Sequence, residues 1–470
     1  MYTILLKMNK HSLLLRNKLS ILFLGIILFS HTFILTRLIF FPYPELFIYP
    51  YLTNHGLKPY QQILDQHFPG LMFLPINLNN LGMTTPEVAR IWLIATVIIT
   101  QLLLFSIAWQ IFKSDKKALF ASILYLIWQP FFEGWVFWID SFLPLFLLPA
   151  FYFLYRGKRE DWGDKAIILA GVFLGLSVVF KQVLIPLCFL VLVYILWQSK
   201  KIKTTLLFLL GLTIPVGGML IYLTSEGVIK DFWYWTVVFN LTVYREYGRG
   251  VAPTLAHFTR VALVFGTAFF ILLKIKERQS QILGIFIIGT LFGLSTRFDF
   301  VHFQPALPFA ILATVYTLGR LEWWWRLGVL GYILVAVWWL IIFYKGHLNN
   351  KVFFFDDTTK TIALKIQLYT KPGEKIFIFG SVPHLYQMSN RLPAGDIFVF
   401  QFPWFLKVAE ERVLEGIKRD NPEIVVADFT VEIEGQKLMH FAKEINQYIL
   451  KNYHPFDQVG STTILRRKSS

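Results

Sequence analysis

The sequence predicts an all-α polytopic membrane domain followed by a small α/β domain. Three observations carry that expectation. The 470 residues are 56% hydrophobic and 17% aromatic but only 16% charged, against roughly 25% charged in soluble proteins. Apolar runs near the ~20 residues that cross a bilayer recur along the first 345 positions. Beyond them no such run occurs, and short apolar strands alternate with helix-like stretches. A disulfide scaffold is excluded, since Cys188 is the only cysteine. It sits in Pro186-Leu187-Cys188-Phe189-Leu190 and reads as a small buried hydrophobe.

Eleven spans are expected, at about 19–41, 87–112, 117–137, 139–155, 165–180, 182–198, 204–224, 254–273, 281–296, 302–319 and 327–345. The first follows Lys7, Lys10, Arg16 and Lys18. Its apolar stretch is too long for a cleaved signal and no small-residue cleavage pattern follows, so it reads as a retained span. Alternate short connectors then collect cations: Lys113, Lys116 and Lys117; Arg156, Lys158, Arg159 and Lys165; Lys200, Lys201 and Lys203; Lys274, Lys276 and Arg278; Arg320 and Arg326. The positive-inside rule places these connectors and the N-terminus in the cytoplasm, and an odd number of spans puts the C-terminus outside. The same rule accounts for the net charge of +16, which therefore implies no nucleic-acid partner.

The other connectors are longer and rich in Trp, Tyr, Pro and acids: about 42–86, 133–140, 225–253 and 297–302. Residues 1–345 are thus read as the membrane domain and 346–470 as an extracytoplasmic α/β domain. In the latter, Lys371-Pro372-Gly373-Glu374 turns into the strand Ile376–Phe379. Gly380 ends that strand without a GxGxxG pattern, so a dinucleotide site has no support.

The first long connector carries Glu45, Tyr60, Asp65 and His67 among aromatics. A carboxylate at a membrane surface beside aromatics is placed to hold its proton tightly, as a general base requires. Asp140 opens the fourth span, and Lys181 and Arg297 end the fifth and ninth, with His302 close behind. Snorkelling to the interface is the competing account of Lys181. Gly171 and Gly175 carry the spacing of close helix packing. The external stretch around Tyr244 and Arg245 is suited to closing over a ligand or to lying in the interface.

Taken together, Pro44-Glu45, then Gly56-Leu57-Lys58-Pro59-Tyr60, then Asp65-Gln66-His67-Phe68-Pro69-Gly70 resemble the opening of GT-C glycosyltransferases. The resemblance is to the branch of the dolichyl-phosphate-mannose-protein mannosyltransferases and aminoarabinose transferases, which has many bacterial members. Ile139-Asp140-Ser141-Phe142, the Gly171-to-Lys181 helix, and Arg297 with His302-Phe303-Gln304-Pro305 are similar to later motifs of the same family. Where the family carries an Asp-Glu pair, this chain has Pro44-Glu45, so Glu45 stands in the base's place.

The resemblance implies an enzyme that moves a hexose or pentose from a polyprenyl-phosphate carrier to an acceptor hydroxyl at the outer face of the plasma membrane. It implies catalytic roles for Glu45, Asp65 and Asp140, donor-phosphate binding by Lys181, Arg297 and His302, and substrate contacts from Tyr60, His67, Tyr244 and Arg245. The partners implied are the lipid-linked donor, membrane lipids, and a lipid, glycan or protein acceptor. No cofactor is certain. A divalent metal held by His67 or His302 with Glu45, Asp65 or Asp140 stays open, without a tight ligand spacing to fix it. The alternative is a lipid or sugar transporter or flippase. Against it stand the absence of repeated halves and the gathering of ionisable residues at one surface.

Overall fold

The computed structural model describes residues 18–156, 163–199, 201–247, 252–269, 271, 276–295, 297–318 and 325–468. Lys7, Lys10, Arg16, Lys158, Arg159, Lys200, Lys274 and Arg320 lie outside them. In chain order the helices are α1 (Lys18–Arg37), a short α2 (Glu45–Asn54), α3 (Pro86–Phe112), α4 (Asp115–Phe131) and α5 (Pro144–Arg156). Next come α6 (Gly163–Phe180), α7 (Ile185–Ser199), α8 (Ile202–Ser225), α9 (Leu255–Phe269), α10 (Arg278–Leu291), α11 (Leu307–Leu318) and α12 (Trp325–His347). Every predicted span therefore contains a helix. Among the described residues, seven helices are long and apolar enough to cross a membrane: α1, α3, α6, α8, α12, and α5 and α7 with their preceding turns.

Four other helices, α4, α9, α10 and α11, are shorter than a span among the described residues. α4 stops just past Pro130, which has no N–H to continue the ladder. The expected start of α11 at 302 is taken by a 3-10 turn, Phe300–Phe303, and Pro305 follows. α10 gives way to another 3-10 turn, Phe292–Ser295. α9 has 15 residues.

Polar contacts sort the helix ends into two groups. At one end Ser20 donates to Asp115 (2.9 Å), Lys203 pairs with Asp164 (2.6 Å), and Arg278 donates to the Leu154 carbonyl (2.9 Å). At the other, β1 (Phe41–Pro42) pairs with β3 (Val136–Phe137) and Phe40 bridges Val352. The glycine spacing is used for packing. A Cβ on Gly171 would meet the Phe208 carbonyl at 2.3 Å, and one on Gly175 the Leu212 carbonyl at 2.5 Å, so only glycine lets α6 and α8 approach so closely. Cys188 is buried, as expected.

After α12 come α13 (Asp357–Tyr369), α14 (Pro403–Asp420) and α15 (Lys443–Asn452), with β4 (Lys375–Phe379), β5 (Leu392–Pro393), β7 (Ile424–Ala427), β10 (Tyr453–Val459) and β11 (Thr462–Arg467) in one sheet of order β10-β11-β7-β4-β5. β5, β4 and β7 are parallel, while β11 and β10 are antiparallel additions. This region is tied to the first long connector. β2 (Ile63–Leu64) pairs in parallel with β6 (Phe398–Val399), and Tyr51 donates to the Arg391 carbonyl at 3.2 Å. The hairpin β8 (Glu432–Ile433) and β9 (Gln436–Lys437) follows β7.

Candidate active site

A cavity of about 810 Å³ lies where the first connector, the outgoing ends of α6 and α10, and the C-terminal sheet meet. Its polar lining includes Glu45, His67, Lys181, Arg297, His302 and Tyr244, six of the ten residues singled out in the sequence.

Glu45 is the first residue of α2, set by the turn at Pro44. Its carboxyl oxygen Oε2 is buried and has no hydrogen-bond partner among the described residues. Burial pushes this carboxyl up to about 7, and nearby Asp65 adds to the push. Asp65 and His67 form a second group. The Asp65 Oδ1 accepts from the His67 backbone N–H (2.7 Å) and lies 2.9 Å from His67 Nδ1, while Oδ2 accepts from the Tyr49 hydroxyl (2.6 Å). Burial disfavours the charged imidazole, yet the Asp65 carboxylate outweighs it and the His67 pKa is raised. The third group is Lys181 with Asp140 and His302. Lys181 Nζ is 2.6 Å from Asp140 Oδ2 and 3.1 Å from His302 Nδ1, which itself lies 3.2 Å from that carboxylate.

Four of the ten residues stand apart from the cavity lining. Asp65 and Asp140 are both 2% exposed and do not line the cavity, because each is turned toward the cationic or imidazole group in front of it. Of the three carboxylates, Glu45 is the one with a buried oxygen that has no partner among the described residues. Tyr60 is fully buried, packs against the rings of Phe73 and Phe232, and donates to the His67 carbonyl at 2.9 Å. Arg245 is exposed and lines a separate shallow depression with Glu246 and Lys407.

Arg297 reaches both regions, pairing with Asp299 (2.7 Å) and Glu434 (3.7 Å). The remaining lining was missed in the sequence. It includes Gln66, Gln182, Asn240, Trp138, the turn Gly380–Pro383 and the aromatics Phe398, Phe400, Phe402 and Trp404. Gly380, at φ +74, stands so close to the Asp428 carbonyl that a Cβ would lie 2.3 Å from it. The glycine at the strand end and the aromatic run after it were the visible signals.

Residues 69–222 match the family described as dolichyl-phosphate-mannose-protein mannosyltransferase. The structure is similar to that of ArnT from Cupriavidus metallidurans bound to undecaprenyl phosphate, with TM-score 0.66 over 96% of this chain and 98% of that one at 12% identity. The chain has the GT-C glycosyltransferase fold. Apo ArnT from the same organism gives TM-score 0.63 over 95% and 97% of the two chains at 13% identity. No curated protein matches the chain in sequence. The GT-C fold together with the apolar helices makes this a membrane protein.

Among the described residues no group of three His, Cys, Asp or Glu side chains is arranged for a metal ion. The Asp65 oxygens are engaged by Tyr49 and His67, and Asp140 by Lys181 and His302, so the two carboxylates serve separate groups.

Proposed function

We propose that this protein transfers a sugar from a polyprenyl-phosphate carrier to an acceptor hydroxyl, at the outer face of the plasma membrane, with Glu45 as the base. One observation carries the reading: a carboxylate with one unpartnered oxygen and raised proton affinity shares a cavity with Lys181, Arg297 and His302. Transfer of this kind needs both, a base for the acceptor and cations for the leaving phosphate. Glu45 takes the acceptor hydroxyl proton as that oxygen bonds to the anomeric carbon. The bond from the anomeric carbon to the phosphate oxygen breaks, and its electron pair leaves on the lipid phosphate. Lys181, supported by Asp140, and Arg297 meet the charge that appears there, with His302 beside them.

The orientation belongs to the same proposal. Residues 1–345 span the membrane with the N-terminus in the cytoplasm, and 346–470 form an extracytoplasmic domain that walls the cavity. The direct test is incubation of purified protein with polyprenyl-phosphate sugars and a membrane extract. Acceptor-dependent loss of sugar from the lipid is expected. An intact donor pool with every sugar tested, or movement of unaltered lipid across vesicles, overturns the transferase reading in favour of a transporter. Cysteines at positions 117 and 360 test the orientation. Only 360 should react from the exterior, and the reverse would invert the topology.

A further inference from the structure

One part of the cavity has no role in the chemistry above. Gln66 and Trp404 both line it, are 8% and 3% exposed, and each holds a polar atom without a partner among the described residues, Gln66 Oε1 and Trp404 Nε1. A buried polar atom without a hydrogen bond is costly, so two in one cavity wall call for a ligand that satisfies them.

The surroundings hold these atoms in place. The Gln66 backbone carbonyl accepts from Gln182 Nε2 (2.8 Å) and Asn240 Nδ2 (3.0 Å), which clamps the loop from two sides. Tyr244 joins the two residues. Its hydroxyl lies beside the Gln66 amide and the Arg297 guanidinium, and its ring meets the Trp404 ring edge-on at 5.5 Å between centroids. Trp404 in turn stacks on Phe402 at 4.8 Å. The patch therefore begins at a cation assigned to the lipid phosphate and runs away from it along aromatic faces.

We propose that Gln66, Tyr244 and Trp404 form the subsite for the donor's sugar ring. This inference rests on the reading of Arg297 as a phosphate ligand, since the group bonded to the carrier phosphate must lie next to that cation. Gln66 Oε1 can only accept, so the sugar presents a hydroxyl or amine hydrogen there. Trp404 Nε1 can only donate, so a ring or hydroxyl oxygen faces it. The aromatic faces suit the C–H face of a saccharide.

The test compares binding of bare undecaprenyl phosphate with that of undecaprenyl-phosphate mannose, glucose and 4-amino-4-deoxyarabinose. The full-length protein in detergent is used, as wild type, Gln66→Met and Trp404→Phe. Wild type should bind at least one sugar-bearing lipid more tightly than the bare lipid. Each variant should cut that increment about tenfold, the value of one hydrogen bond, while binding the bare lipid as wild type does, which also shows that it has folded. An increment unchanged in both variants overturns the subsite, as does the absence of any increment across the panel. A variant that loses bare-lipid binding to the same extent as sugar-lipid binding also overturns it, since the residue then acts on the fold. If wild type fails to bind undecaprenyl phosphate at all, the proposed function itself falls.

Discussion

His31 and Glu45 sit in buried polar clusters of the same molecule that have been completed in opposite ways. His31, fully buried on α1, has Nδ1 at 2.9 Å from Gln101 and Nε2 at 3.0 Å from Gln129. Both glutamines pass the network on, to the carbonyls of Ser122 and Gly134. Each ring nitrogen has a glutamine oxygen within hydrogen-bond reach, and the cluster joins α1, α3 and α4. In the cavity, Glu45 and Gln66 each keep a buried oxygen unpartnered. A closed network has used up its hydrogen-bonding capacity between helices, while an open one keeps capacity for a group from outside the chain. Asp65 and Asp140 belong to the closed kind even though they stand one residue behind the cavity wall.

Substitutions can break this contrast. The largest effect is expected at Glu45→Gln, which keeps the shape and removes the base. Turnover should fall by about 10³-fold with an unchanged melting temperature, and near-normal turnover would remove Glu45 from its role. Asp140→Asn should act on the fold, since it leaves the Lys181 ammonium buried without its counter-charge. A loss of about 3 kcal/mol in detergent denaturation is expected. Lys181→Met should lower turnover by roughly 10²-fold with little change in the acceptor's apparent affinity, as for loss of one preorganised donor. Equal turnover in wild type and variant would leave snorkelling as its whole function. The smallest effect belongs to the closed cluster. His31→Leu should cost about 1 kcal/mol of stability, the scale of a polar contact between membrane helices, and leave turnover per folded molecule unchanged.

The membrane helices were legible because an apolar run of span length has few other readings, and the helix starts agree closely for α3, α6 and α8. What escaped was the backbone detail at Pro130 and at 300–306, where a 3-10 turn and prolines shorten helices inside stretches that read as single spans. In the site, Glu45, Asp65 and Asp140 look alike in sequence, each an acid near aromatics beside a span. Their roles separate only through partners. Asp140 meets Lys181 and His302, 41 and 162 residues away. No local pattern encodes such pairing. The share of the cavity built by the C-terminal sheet was invisible for the same reason, since β2 pairs with β6 across more than 300 residues.

The central claim is that Glu45 is the free carboxylate whose proton governs transfer, and its pH dependence tests this most directly. A carboxyl raised by burial is protonated and inactive as a base below its pKa, and active above it. With a defined polyprenyl-phosphate sugar, kcat/KM should rise about tenfold per pH unit at low pH and level off near pH 7. That rise should vanish from the residual activity of Glu45→Gln. A wild-type profile that levels off in the ordinary carboxylate range near pH 4.5, or one that Glu45→Gln leaves in place, would contradict the account.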